Sequence, residues 1–465
     1  MKKVLVVALA IVSLFSLTAC KKVVDTVLDW DIISNDLAVD TSKEVTVTFW
    51  HTMGNTNQGL LAEFMAEFKV LYPHITIAPE QKGGYTELRS AINVALPGGN
   101  EPTMAFSYPD HVAGYIRSGR MLPLNNLINN KNPEIALAKD QIDDYVSAFW
   151  AEGSVFDNNG TILNLPFSKS TEALYYNEDF FNLHSLTVPT TWDEAVSVSR
   201  EIMRLKNDTT YTKPIPADLI PLGYDSEANM FITGSESFGH PYTGIDSEGN
   251  GTALFNNDGS REMVQSFKTL VDEGLLTTKE LQGGDYTSTR FTEGKLAMYI
   301  GSTGGARYAT EFTNTQTPFK ANVSEVPYFN PDNKRVIQQG PNIHLFAKDN
   351  VQESIAAWLF LKYITQPETS GRYAVLTGYA PVRYSSYDVE PLKSHLTATG
   401  GSAATAITRQ SLVVARKQND AYFVSPASDI SSKARDEVGN LLVSVFNGTK
   451  SINSAFLDAY NEVVR

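Results

Sequence analysis

The sequence predicts an α/β fold with parallel sheets, on three observations. Glu44-Val45-Thr46-Val47-Thr48-Phe49-Trp50 alternates and is rich in β-branched residues, which marks a strand. Leu60, Leu61, Phe64, Met65 and Phe68 then recur at helical spacing. Ile75-Thr76-Ile77 reads as a second strand. A strand, a loop over 51–59, a helix and another strand imply a right-handed crossover and parallel pairing.

The alternation continues along the chain. Leu88 to Leu96 is helical until Pro97-Gly98-Gly99-Asn100 breaks it. Met104-Ala105-Phe106 is a short strand, and Val112 to Arg117 a helix that Gly119 ends. Leu163 to Tyr176 reads as extended, Trp192 to Leu205 as a helix, and Met263 to Val271 as a helix stopped at Gly274. Leu296 to Ile300 is a strand running into Gly301-Ser302-Thr303-Gly304-Gly305. Gln352 to Ile364 reads as a long amphipathic helix stopped near Pro367, and Ser431 to Val464 as mostly helical. The loops 51–59, 107–111 and 301–305 each follow a strand, where ligands of open α/β sheets sit.

Length and charge bound the class. At 465 residues the chain has room for two or three domains and large cores without staples. Hydrophobic residues are 42% and charged residues 19%, an ordinary globular profile. A net charge of −14 argues against nucleic acid as a partner. Lys2 and Lys3 precede an apolar run, Val4 to Leu17, which at about 14 residues suits a secretory h-region better than a span of about 20. Leu17-Thr18-Ala19-Cys20 resembles a lipobox, and Cys20 is the single cysteine of the chain. Residues 1–20 are therefore read as a lipoprotein signal peptide with Cys20 acylated. Residues 21–43, polar and without period, are read as a tether. The protein is placed at the cell membrane, lipid-anchored and facing outside.

Several short stretches then carry a resemblance. They are Thr48-Phe49-Trp50-His51, Lys82-Gly83-Gly84-Tyr85, Gly119-Arg120-Met121-Leu122-Pro123-Leu124 and Leu165-Pro166-Phe167-Ser168-Lys169-Ser170-Thr171. Leu174-Tyr175-Tyr176-Asn177, Pro189-Thr190-Thr191-Trp192, Phe291-Thr292-Glu293-Gly294-Lys295-Leu296-Ala297-Met298 and Thr377-Gly378-Tyr379-Ala380-Pro381-Val382 follow in order. With them the chain resembles the family 1 extracellular solute-binding proteins, and within that family the members that bind glycerol 3-phosphate and sugars. The resemblance runs from about residue 45 to the C-terminus, densely to about 385. It implies a two-lobed periplasmic-binding-protein-like fold (type II), hinged, with the ligand cleft between the lobes. Lobe one would take 44–160 plus 343–383, and lobe two 163–340 plus 384–465. The implied function is the extracellular substrate-binding component of an ABC importer. It would close around a mono- or oligosaccharide and deliver it to the permease, as a monomer without cofactor or metal.

A sugar offers hydroxyls at its rim and C–H groups on its faces, so aromatic rings and polar side chains recognise it. Tyr85 follows two glycines, and the resemblance makes it a ligand contact. Asp110 follows a strand, where a carboxylate can accept from two hydroxyls, although it also suits a helix N-cap before His111. His51 opens the first loop. Ser170 lies in the first crossing between lobes and Gly340 in the second, where the resemblance puts a ligand-contacting glycine. Tyr224, Asp225 and Asn229 occupy the place of a ligand-facing aromatic loop. Ser302 and Thr303 offer hydroxyls and backbone N–H groups, and Tyr379 matches a ligand tyrosine. In place of an arginine-bearing stretch of the phosphate-binding relatives stands Ala421-Tyr422-Phe423-Val424-Ser425. Without a fixed guanidinium a phosphate loses its bidentate partner, so a neutral saccharide is favoured over glycerol 3-phosphate or another polyol phosphate.

Rival classes find less support. A surface glycosidase needs two carboxyls across a cleft, and Asp143-Asp144 and Asp193-Glu194 sit at helix starts, where acids suit the dipole. A ferric-ion binder would use adjacent tyrosines, but Tyr175-Tyr176 falls in the crossing-strand motif. The sequence is read as a binding protein and not an enzyme.

Overall fold

The computed structural model describes residues 28–312 and 318–465. The signal peptide, Cys20 and the first part of the expected tether lie outside the described residues. In chain order the strands are β1 (Val45–His51), β2 (Ile75–Gln81), β3 (Met104–Ser107), β4 (Asn164–Pro166), β5 (Ser170–Asn177), β6 (Ile220–Tyr224) and β7 (Thr243–Ile245). They continue with β8 (Gly251–Ala253), β9 (Leu276–Thr278), β10 (Leu296–Ser302), β11 (Ala321–Ser324), β12 (Val336–Gln339), β13 (Asn342–Leu345) and β14 (Tyr422–Phe423).

Two separate sheets organise the two lobes. The first has the order β2-β1-β3-β13-β4 and the second β14-β12-β5-β10-β6-β9, with β11 beside β5. β1 pairs in parallel with β2 and β3, as the crossover demands. β13 returns antiparallel between β3 and β4. In the second sheet β6 is parallel to β9 and β10, and β5 is antiparallel to β10 and β12. β3 is buried along its whole length and β10 along all but its last residue, so helices cover both faces.

The chain passes from one sheet to the other at 167–169, between β4 and β5, and back at Gly340-Pro341, between β12 and β13. The extended segment expected over Leu163 to Tyr176 is thus two strands of different sheets with a short bend between them. The passages touch: Ser168 N donates to Pro341 O at 3.2 Å. Gly340 has φ +92, and a Cβ there would stand 1.8 Å from the Ser168 carbonyl oxygen.

Some expectations are corrected by position. The helix expected from Leu88 begins at Tyr85, and that expected from Val112 begins at Pro109. The segment 303–305, expected as a loop, opens a 3-10 helix, Thr303–Thr310. Helix Val351–Ile364, expected to be amphipathic, is buried nearly all round, with Trp358 and Phe360 fully enclosed. A helix of that kind belongs in the interior of a large core. From Leu28 on, the expected tether is docked on lobe one. Trp30 Nε1 donates to Thr161 Oγ1 at 2.9 Å, and Asn126 Nδ2 donates to the carbonyls of Trp30 and Ile33 at 2.9 and 2.8 Å. Most of these contacts use backbone groups, which leave no periodic mark in the sequence.

Glycine at 340 is required twice over, by φ and by space. Gly160 has φ +73 but open space around its Cβ position. Backbone strain alone costs of order 1–3 kcal/mol, so Gly160→Ala is expected to lower stability by about that amount. Gly340→Ala adds a clash with backbone and is expected to cost clearly more. Urea denaturation of both variants checks the difference, and equal midpoints would contradict it.

Candidate functional site

Between the lobes lies a cavity of about 290 Å³. Its lobe-one wall comes from two helix starts. Helix Tyr85–Ala95 supplies Tyr85, Thr86 and Arg89, and helix Pro109–Ile116 supplies Asp110 and His111 behind Tyr108. Gly83, at φ +74, and Gly84, the N-cap, turn the chain so that Tyr85 is the first helical residue. Its ring lies 4.7 Å from that of Tyr108. The opposite wall is helix Ser431–Phe446 with Ser432, Arg435 and Asp436, together with Ile232, Tyr242 and Phe423. Ile337, Gln338 and Gln339 of β12, and Glu152, complete it near the hinge.

A second cavity of about 330 Å³ adjoins it, and Gln339 borders both. This one is bounded by Glu172, Asp225, Glu227, Asn229, Lys279, Tyr286 and Ser302, among others. Across the cleft, Arg89 donates to Ser432 Oγ and Arg117 pairs with Asp429, so the lobes are in contact at the rim.

The charges are arranged in an unusual way. Arg89, Arg435, Asp110 and Asp436 all border the first cavity. None of the four belongs to a salt bridge among the described residues. Arg435 is instead held by a neutral acceptor, the Asn229 Oδ1. Asn229 Nδ2 in turn donates to Glu172 Oε1 at 2.8 Å, and Tyr224 OH donates to Glu172 Oε2 at 2.5 Å. Burial raises the Glu172 carboxyl to about 7 against the pull of these donors. Burial likewise raises Asp225 to about 6, although its Oδ1 accepts from Thr287 N at 2.8 Å and Thr287 Oγ1 at 2.6 Å. The Tyr85 and Tyr108 phenols are pushed up, chiefly by burial, and keep their protons.

The structure distributes the residues singled out from sequence into three groups. Tyr85 and Asp110 border the first cavity, and Asp225, Asn229 and Ser302 the second. Asp110 lies in the first turn of its helix, whose N-cap is Tyr108, so the N-cap alternative for Asp110 does not hold. Tyr379 is half-buried beside Gly304 of the other lobe, and Ser170 accepts from Ser302 Oγ at 3.2 Å. The remaining four serve the framework. His51 is 2% exposed, accepts from Met53 N through Nδ1 and packs on Phe49 and Phe106. Tyr224 and Thr303 are fully buried, the latter accepting from Thr171 N at 3.0 Å, and Gly340 is sterically fixed.

The sequence reading missed Arg89, Arg435, Glu152 and Glu172. The cleft does hold fixed guanidinium groups, contrary to the expectation from residues 421–425. The cations nearest in sequence to that stretch are not among the residues bordering either cavity: Arg416 lies on the Tyr387 ring, 4.4 Å from its centre, and Lys417 is exposed. Nothing in the local pattern of helix Ser431–Phe446 distinguishes Arg435 from a solvated charge.

Comparison with known proteins agrees with this architecture. Residues 60–399 match the profile of the bacterial extracellular solute-binding proteins, and the chain belongs to that family. The sn-glycerol-3-phosphate-binding periplasmic protein UgpB of Shigella flexneri is 25% identical over 361 residues, covering 74% of this chain and 76% of that protein. Its Escherichia coli K12 counterpart matches to the same extent. Among solved structures, UgpB from Mycobacterium tuberculosis in complex with glycerophosphocholine has a TM-score of 0.70 at 18% identity, covering 90% of this chain and 98% of that one. An ABC substrate-binding protein from Listeria monocytogenes in complex with cycloalternan has a TM-score of 0.70 at 14% identity, with the same coverage. These structural likenesses show the hinged two-lobed binding-protein fold. No helix among the described residues is long and apolar enough to cross a membrane.

The raised carboxyls make stability depend on pH. Glu172 titrates at about 7 in the fold against an ordinary 4.5, so the folded state binds its proton more tightly than the unfolded chain. The stabilisation is complete below the unfolded value and is lost as pH rises through 7. At about 1.4 kcal/mol per unit the full span is roughly 3 kcal/mol. Ligand-free protein is expected to melt lower at pH 8 than at pH 5, and Glu172→Gln is expected to flatten that slope. Identical slopes in wild type and variant would contradict the assignment.

Proposed function

We propose that this protein captures a carbohydrate-type ligand, a mono- or oligosaccharide, in the cleft between its lobes and delivers it to the permease of an ABC importer. The observation that carries this reading is the cavity bordered by Arg89, Arg435, Asp110 and Asp436, none of them ion-paired among the described residues. Two cations and two anions balance once Glu152, which also borders the cavity, is counted with its partner Lys169, so the cavity favours a neutral guest rich in hydroxyls. Hydrogen bonds to charged groups are worth roughly 1.5–3 kcal/mol each, and Tyr85, Tyr108 and Tyr242 give the sugar faces apolar cover. Ligand contact is assigned to Tyr85, Asp110 and Tyr379 from lobe one and to Asp225, Asn229 and Ser302 from lobe two. A guest touching both lobes binds the closed state better and so shifts the population toward it. Binding and release involve no covalent step, which is why the protein is read as a carrier and not an enzyme.

A second reading has its own observation. Arg89 and Arg435 face one cavity, and paired guanidinium groups suit a phosphate. A phosphorylated polyol, the ligand class in the names of the UgpB relatives, is therefore the alternative occupant.

The anchor belongs to this proposal too. Acylation at Cys20 would hold the protein on the outer face of the membrane, where a permease works. Cys20→Ser is expected to release it from the membrane fraction, and unchanged retention would remove the anchor from the scheme.

Thermal-shift measurements with maltotriose, glycerol 3-phosphate and glycerophosphocholine separate the two readings. A neutral sugar at 100 times its dissociation constant should stabilise by roughly 2.7 kcal/mol. Asp110→Ala is expected to weaken its binding about tenfold to a hundredfold or more, at about 1.4 kcal/mol per decade, without loss of ligand-free stability. Tight binding of glycerol 3-phosphate alone would favour the second reading.

A further inference from the structure

Lys169 stands at the point where the lobes join. It is fully buried, in the passage between β4 and β5. Its ammonium donates to Glu152 Oε2 at 2.6 Å, to the Gly340 carbonyl at 3.1 Å and to Asn342 Oδ1 at 3.4 Å. Its own carbonyl accepts from Ala380 N at 2.7 Å. One residue thus ties the outgoing passage to the returning one, and both to the segment after helix Pro367–Thr377. Its counter-ion is shared, since Asn342 Nδ2 also donates to Glu152 Oε2 at 3.0 Å. Glu152 Oε1 has no hydrogen-bond partner among the described residues, and Glu152 borders the first cavity.

We propose that Lys169 is the pivot of the hinge and a positioning residue for Glu152, a ligand-contacting carboxylate in the cleft. This rests on the cleft being the binding site. A buried ion pair is a costly way to gain stability, because desolvation offsets the attraction. Its role in a place that must move is to keep geometry. Three acceptors fix the ammonium, one on Glu152 and two on the returning passage and its strand, and the ammonium fixes Oε2. The second oxygen is left without a protein partner, on a residue that borders the cavity. A hydroxyl that donates to it touches the hinge directly. The other charged or titratable groups on the walls of that cavity are Arg89, Asp110, His111, Arg435 and Asp436, with the phenols of Tyr85, Tyr108 and Tyr242.

The test is a substitution cycle of Lys169→Met, Glu152→Gln and the double variant. In ligand-free urea denaturation at pH 8, each single change strips a buried charge of its partner, so the double variant should be more stable than either single. Simply additive losses would overturn the pivot pair. Calorimetric titrations then use maltotriose, glycerol 3-phosphate and glycerophosphocholine at pH 8. In Lys169→Met the Glu152 carboxylate loses the donor that fixes its Oε2. Affinity for whichever probe binds wild type should fall about tenfold in Lys169→Met and in Glu152→Gln. The double variant should bind no more weakly than Glu152→Gln, because Lys169 acts through Glu152. Wild-type affinity in Glu152→Gln would mean that Glu152 does not touch the bound molecule, and additive affinity losses would mean that Lys169 does not position it. If Lys169→Met does not fold, Asn342→Ala, which removes one donor to Glu152 and keeps the ammonium, should weaken binding in the same direction. Wild type binding none of the three probes would count against the cleft reading, while the denaturation cycle still decides the pivot.

Discussion

Two backbone segments cross between the sheets at a separation that leaves no room for a side chain. The Gly340 Cα stands against the Ser168 carbonyl, where a Cβ would come within 1.8 Å of the oxygen. This contact sets how far apart the two sheets lie, and the cleft is the space that remains. β12 leads into it from lobe two and carries Gln339, which borders both cavities. β13 leads away from it into the centre of the lobe-one sheet, between β3 and β4. The helix starts at Tyr85 and Pro109 follow β2 and β3 of that sheet, so their side chains project toward the crossing. A looser crossing would shift every one of these groups relative to Arg435 on the other side.

The cleft is built from groups that elsewhere in a protein would be paired off. On the outer faces, arginines find carboxylates, as Arg372 does with Glu67 and Arg200 with Glu273. Pairs of that kind at a surface contribute little, about 0–1 kcal/mol. Inside the cleft Arg89 and Arg435 are kept from the carboxylates and given neutral partners, Ser432 and Asn229. Keeping charges apart costs the empty state some stability and leaves their hydrogen-bonding capacity for a guest. The balance of sign matters as much as the number, because a cavity of net charge would select first for an ion.

Much of the fold was legible in the sequence, and the reasons are local. The first strand, its helix and the parallel crossover follow from alternation and helical spacing, because those patterns come from one buried face. Helix Val351–Ile364 was found but misread, since a helix covered on all sides has no polar stripe to give its orientation. The N-terminal segment looked like a linker because it docks through backbone carbonyls and a few side-chain amides. Tyr85 and Asp110 were recoverable from glycines and strand ends. Arg435 and Glu172 were not, because each acquires its role from residues far away in sequence: Asn229 lies 206 positions from Arg435 and 57 from Glu172.

Those two residues also connect the cavities. Tyr224, Glu172, Asn229 and Arg435 form one chain of hydrogen bonds running from the second sheet to the first cavity. Asn229 is the joint, because its amide gives a donor to the carboxylate and an acceptor to the guanidinium. Turning the amide over would bring its N–H groups toward Arg435, and a guanidinium has no acceptor, so only one amide orientation satisfies both neighbours. A neutral Glu172 keeps its carbonyl oxygen as an acceptor for Asn229 Nδ2, so that orientation holds in either charge state of the carboxyl. The aim of the arginine at one cavity is therefore set by a hydrogen bond to a carboxyl that borders the other.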